Sequence, residues 1–163
     1  MAAKQVFAMQ NNFAQGSSVG ICTCISLNWA RRVLKKGGAI NAYSEIGLSD
    51  LTLNAQMAKL RKLDSDPVAQ SALVDLEAVG GDRNIASADD VIRLTKQTPP
   101  HVAIFWTAGH TMGYRYAHNE KEFFDNEVGL FRAKTSKEIK AKINEVTKNY
   151  GGIIGMRIVR LQA

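Results

Sequence analysis

The chain is poor in the residues that staple, break or anchor a fold. It has 2 cysteines, 3 prolines and 3 histidines among 163 residues, and only 7% aromatics. The cysteines, Cys22 and Cys24, are one residue apart. Neighbouring thiols on a helix diverge, so no disulfide framework is expected and nothing demands an oxidising compartment. No stretch approaches the roughly 18 consecutive apolar residues that read as a bilayer span. The N-terminus lacks a charged region followed by a hydrophobic one, so neither a transmembrane segment nor a Sec-type signal is expected. Internal repeats and low-complexity segments are also missing.

What is present fits one globular domain over residues 1–163, with 45% hydrophobic and 22% charged residues. The net charge of +6 raises the question of nucleic acid or an acidic membrane. The basic residues are spread along the chain. Their mild concentration from Lys134 to Lys148 is interrupted by Glu138 and Glu145 and has no interleaved stacking aromatics. A solvated helix face explains it, and no nucleic-acid partner is expected.

The most informative stretch runs from Gln15 to Trp29. Gly16 and Gly20 permit a tight approach, Ser17 and Ser18 favour a turn or cap, and Ile21, Ile25, Trp29 and Val33 then recur at helical spacing. Cys22 falls in the first turn of that helix. There the unpaired N–H groups and the dipole favour a thiolate, which is the nucleophilic form. Gln15 carries an amide suited to an oxyanion, with Gln10 and Asn12 as alternatives and the Cys22 N–H as a second donor. The helix should end at Gly37–Gly38 after a cluster of Arg and Lys.

Residues Met1 to Phe13 suit either a strand or an ordered arm. Between Leu48 and Gln97 the pattern predicts three shorter helices. One carries Leu53, Met57 and Leu60; a second runs from Asp66–Pro67 to Gly80–Gly81 with Val68, Ala72, Leu76 and Val79; a third, with Val91 and Leu94, is capped by Ser87 and Asp90. Asp64, Asp66, Asp82, Asp89 and Asp90 sit beside caps and turns without metal-binding spacing, so capping is the preferred reading. After Thr98–Pro99–Pro100 the character changes. His101–Thr107, His110–His118 and Glu122–Ala133 read as strands of an antiparallel meander, followed by a helix capped by Thr135 and Glu138 and a last strand over Ile153–Leu161. The fold class is α+β.

Gly20-Ile21-Cys22 leading into an apolar helix with Trp29, then Gly109-His110 opening a strand, then Phe123-Phe124-Asp125-Asn126 with Gly129 and Phe131, resemble the nucleophile, His and Asp motifs of the YopT and AvrPphB type of papain-like cysteine peptidase. The resemblance implies a papain-like fold, with N-terminal helices and a central nucleophile helix on a C-terminal antiparallel sheet. It also implies a Cys22–His110–Asp125 triad, a protein or peptide substrate, no metal or other cofactor, and an effector role with export. One position departs from the family, which usually has a small residue where Cys24 stands.

The residues themselves leave alternatives open. His101 and His118 are explained by exposure at a strand start and a polar turn, whereas His110 lies where a side chain can face a cleft. Asp125 interrupts an aromatic run, a costly place for an unpaired carboxylate; Asn126 and Glu127 are fallback orienters. A tight hairpin is expected to set Asp125 nearer Tyr114 than His110, so that a bend or longer loop must join the pair. Cys24 reads as a small buried hydrophobe, against its use as nucleophile or in a zinc site with Cys22.

Three functions compete: a cysteine peptidase; a peptidoglycan amidase or acyltransferase with the same Cys–His machinery; and a non-enzymatic interaction module. Folding in the cytoplasm fits the free thiols, with a non-Sec route into a host or target cell left open. Specificity is expected in the loops around Gly37–Gly47 and Asp82–Ser87. The substrate, host and oligomeric state are not legible.

Overall fold

A computed structural model describes residues 2–9, 21–47, 49, 55, 56, 58, 59 and 67–163. The chain is a mixed helix and antiparallel-sheet structure. Its strands are β1 (Lys4–Ala8), β2 (Leu76–Ala78), β3 (Arg83–Asn84), β4 (Val102–Trp106), β5 (Thr111–Ala117), β6 (Glu120–Asp125), β7 (Gly129–Ala133) and β8 (Gly155–Leu161). The helices are α1 (Ile21–Lys36), α2 (Pro67–Ala72), α3 (Ala88–Gln97) and α4 (Ser136–Thr147), with a 3₁₀ turn at Tyr43–Ile46. The strands form one sheet in the order β1-β7-β6-β5-β4-β8-β2, and β3 also pairs with β8. Every pairing is antiparallel. Two-residue and short connections between β4, β5, β6 and β7 make the central meander.

Period-two alternation sends the two sets of strand side chains to opposite faces. Ile104, Phe124 and Leu130 join Ile25, Leu27, Trp29 and Val33 of α1 in one core. Phe105, Met112, Tyr114, Phe123 and Phe131 join Val91 of α3 and Ile139 and Ile143 of α4 in the other. The sheet is thus covered on both faces, by α1 on one and by α3 and α4 on the other. Helix α1 ends as expected. Gly37, at φ 73°, turns the chain out while its N–H and that of Gly38 bond the Val33 carbonyl at 2.9 and 3.3 Å. The capping residues of the later helices also perform as read: Ser87 accepts from Asp90 N–H and Thr135 from Glu138 N–H.

Three expectations need correction. The second short helix stops at Ala72, and Leu76 and Val79 lie in extended chain along β8. Their spacing of three matched a helix, but Asp75, at φ 61°, breaks it and the free edge of β8 supplies backbone partners. Glu122–Ala133 is two strands, because the turn at 126–128 folds β7 back on β6. Gly129, at φ 130°, is required there: a Cβ would lie 2.0 Å from the Phe7 carbonyl of β1, the strand paired with β7. The Met1–Phe13 stretch contains the edge strand β1, so the strands are not confined to the C-terminal half. The helix expected around Leu53, Met57 and Leu60 has those residues outside the described set. Asp82 binds Arg157 at 2.5 Å and Asp89 binds Lys140 at 2.9 Å, while Asp90 accepts the Ala86 N–H at 3.2 Å, so these acids serve pairing and capping.

Trp29 is fully buried and stacks on Phe124, ring centroids 5.3 Å apart at 5°. It can approach so closely because the residue opposite Phe124 is Gly113, where a Cβ would lie 2.3 Å from Trp29 Cζ3. Gly113→Ala should therefore lower stability by about 1–3 kcal/mol through overpacking. Urea unfolding followed by tryptophan fluorescence measures it; an unchanged midpoint would mean that α1 is not seated by this contact.

Candidate active site

Cys22 is the second residue of α1, in the first turn, and is 8% exposed. Side-chain bonds fasten that end of the helix to β5: Thr23 Oγ1 lies 2.9 Å from Thr111 Oγ1, and Ser26 Oγ donates to the Thr111 carbonyl at 3.1 Å. His110 directly precedes Thr111 and is also buried. It closes the β4–β5 turn, its carbonyl accepting the Thr107 N–H at 2.9 Å. The same small segment therefore positions the imidazole and holds the helix that carries the thiol.

Asp125 reaches His110 through strand register. The β5–β6 turn is only His118–Asn119, and Gly113 pairs with Phe124. Continuing that register sets Asp125 opposite Met112, two residues from His110 and equally two from Tyr114. A diagonal neighbour on the same face lies within side-chain reach. Asp125 Oδ2 is 3.1 Å from His110 Nε2, and no bend or longer loop is needed. Asp125 has no exposed surface; its other oxygen, Oδ1, accepts the Glu127 N–H at 2.8 Å. Both carboxylate oxygens are thereby satisfied, which is the condition for burying an acidic group.

A carboxylate only accepts hydrogen bonds, so Nε2 carries the hydrogen toward Asp125 and Nδ1 is left for the thiol. Burial pushes the imidazole's pKa down, but the hydrogen bonds to Asp125 and Cys22 and their charges outweigh it and raise the group to about 10. Burial likewise pushes the Cys22 thiol up, and hydrogen bonds from His110 and from the Thr111 backbone, with the His110 charge, bring it below its ordinary 9.0. The two shifts favour a thiolate–imidazolium pair. Cys24 has the opposite fate: burial, then the charge of Cys22, pushes it up to about 12. It lies in the core with Ile25 and Leu27.

The other candidates fall elsewhere. His101 Nδ1 is 3.0 Å from the Thr95 carbonyl, at a residue with φ 72°, and His118 sits in the β5–β6 turn. Asn126 is buried, with neither amide atom hydrogen-bonded, and the bond to His110 comes from Asp125. Gln15, Gln10 and Asn12, the oxyanion candidates, lie outside the described residues. Sequence reasoning did not single out Tyr150, whose ring stacks on His110 with centroids 4.1 Å apart at 19°. Its only sequence signal is a tyrosine before Gly151–Gly152. Thr111 was also missed, being an unremarked strand residue.

No protein-family model matches the chain, and no curated protein matches it. Solved structures do. The crystal structure of the Pseudomonas avirulence protein AvrPphB superposes with a TM-score of 0.55 at 14% identity, over 98% of this chain and 95% of that one. PatoxP, a cysteine protease-like domain of the Photorhabdus asymbiotica toxin PaTox, superposes with a TM-score of 0.59 at 15% identity, over 96% of this chain and 54% of that one. At such identities the likeness is one of fold. The chain's fold is similar to theirs, the kind of fold that the three sequence motifs also resemble.

The electrostatics predict how the thiols react. Iodoacetamide should modify Cys22 alone near neutral pH, with a rate that rises through a midpoint below the ordinary 9.0 of a thiol. His110→Ala should move that midpoint above 9.0, since burial persists when the imidazole is gone. Peptide mapping of the alkylated protein across pH is the measurement; preferential modification of Cys24 would invert the assignment.

Proposed function

We propose that the chain is a papain-like cysteine peptidase, a single domain over residues 1–163 that acts as an exported effector on a protein or peptide substrate. The observation that carries the reading is His110, bonded through Nε2 to the buried Asp125 and hydrogen-bonded to a thiol in the first turn of α1. A nucleophile, a base and an orienter in that sequence of contacts are the parts covalent acyl transfer requires. The fold likeness to an avirulence protein and to a cysteine protease-like toxin domain supports the same reading.

In the proposed reaction the Cys22 thiolate attacks the scissile carbonyl carbon, and the resulting oxyanion receives hydrogen bonds from the Cys22 N–H and the Gln15 amide. The His110 imidazolium gives its Nδ1 proton to the leaving amine as the C–N bond breaks. Water then attacks the thioester, with His110 as general base, and returns the thiolate and a carboxylic acid. Asp125 holds the ring and favours its cationic form throughout. No metal or other cofactor is required by this chemistry, and neither nucleic acid nor a membrane span has a part in it.

Cys22→Ala should abolish turnover with the fold kept, and His110→Ala should lower it about 10²–10⁴-fold. Asp125→Ala should cost less than His110→Ala, because an orienter assists a base that keeps some function alone. Mass spectrometry of a proteome-derived peptide library reads new amino termini, with thermal unfolding of each variant as the fold control. Cleavage that survives Cys22→Ala would sink the proposal. Acyl transfer to an added amine, or release of peptidoglycan fragments, without new peptide termini would replace it with the acyltransferase or amidase reading.

A further inference from the structure

Tyr150 closes a circuit of four residues that includes the candidate base. Its ring stacks on His110 at 4.1 Å between centroids; its hydroxyl donates to Glu127 Oε2 at 2.9 Å; Glu127 N–H donates to Asp125 Oδ1 at 2.8 Å; and Asp125 Oδ2 meets His110 Nε2 at 3.1 Å. The tyrosine lies three residues beyond the end of α4, its N–H donating to the Thr147 carbonyl at 2.9 Å, and Gly151, at φ 82°, turns the chain away behind it. It thus reaches the imidazole from the end of α4, a helix that covers the face of the sheet opposite α1.

We propose that Tyr150, tethered through its hydroxyl to Glu127, is a positioning residue that caps the His110 ring and keeps water off the His110–Asp125 hydrogen bond. The inference deepens the peptidase reading and rests on it. Three physical points support it. A ring stacked at 4.1 Å and 19° leaves no room for a water layer over that face of the imidazole. The electron-rich face of a phenol favours the cationic imidazole over the neutral one. The tether holds the far end of the ring by one hydrogen bond, and that bond is what Glu127 contributes, since its side chain is exposed and packs little. Burial, then the charge of Asp125 and the bond to Glu127, raise the phenol's own pKa, so it stays a neutral donor at physiological pH.

The test reads the imidazole directly. In ¹⁵N-labelled protein the His110 Nε2–H proton, hydrogen-bonded to a carboxylate, should resonate far downfield and be visible because it is shielded from exchange. Tyr150→Leu should lose that resonance with the amide spectrum otherwise kept. Cys22 alkylation and kcat should fall about 10- to 100-fold, with KM within about two-fold. Tyr150→Phe keeps the ring and should rescue the resonance and most of the rate, leaving a small loss. Glu127→Ala, an exposed change, should match the Phe variant with faster exchange of the same proton, and it carries the test if the Leu variant does not fold. Retention of the resonance and rates in Tyr150→Leu would overturn the proposal, as would unchanged proton exchange in Glu127→Ala or a Phe variant as impaired as the Leu one. The resonance and the alkylation need no substrate. A protein in which they respond to Tyr150 as expected, but which cleaves nothing, would remove the peptidase reading and leave the capping role in place.

Discussion

The seating of Trp29 on the Gly113–Phe124 pair is the contact on which the geometry of the site depends. A helix lying on a sheet can slide along its axis and rotate about it, and either motion moves a residue seven positions away by several ångströms. The flat stack of indole on phenyl, fitted where Gly113 has no side chain, removes the rotation. The bonds of Thr23 and Ser26 to Thr111 remove the slide. With both degrees of freedom gone, the first turn of α1 is held at the end of the sheet beside His110. This precision comes from a helix end and a four-residue turn held between two paired strands, which keep the thiol and the imidazole from drifting apart.

The sheet also separates the two groups that act on the imidazole. Cys22 comes from the α1 face, whereas Asp125 shares the parity of Met112 and Phe123 on the face covered by α3 and α4. Thiol and carboxylate would repel as like charges if they were adjacent. With the ring between them, each instead stabilises its cation from its own side. The electrostatic cost of burying Asp125 is met locally, by one imidazole and one backbone N–H.

Much of this was legible in the sequence, and the limits have physical causes. The α1 helix and the position of Cys22 could be read because propensity, the glycines before the helix and the Gly37–Gly38 exit agree on one answer. His110 and Asp125 needed the motif resemblance, since a histidine after glycine and a carboxylate in an aromatic run are each ambiguous alone. The β6–β7 turn was missed because Asn126, Glu127 and Val128 carry no proline or glycine before Gly129, whose role is set by the distant β1. Leu76 and Val79 were misread because a three-residue spacing cannot reveal the free edge of β8. Tyr150 was invisible for the same reason: its partners are 40 and 23 residues away along the chain and meet it only in the fold.

The two thiols make the physical distinction plainest. They are chemically identical and separated by one residue, yet their acidities are driven in opposite directions. Both are buried, and burial alone would raise both. What differs is direction. Two residues advance a side chain by about 200° around a helix, so when Cys22 meets His110 at the sheet's end, Cys24 must turn toward the apolar core. There it has no cation to offset desolvation, and the charge of Cys22 itself pushes it further up. A pair of reactive thiols would compete for oxidation and for substrate. The helical turn leaves one thiol beside the imidazole and one buried in the core, and a second thiol where the family that the motifs resemble has a small residue is tolerated because a thiol in a core behaves as a small hydrophobe.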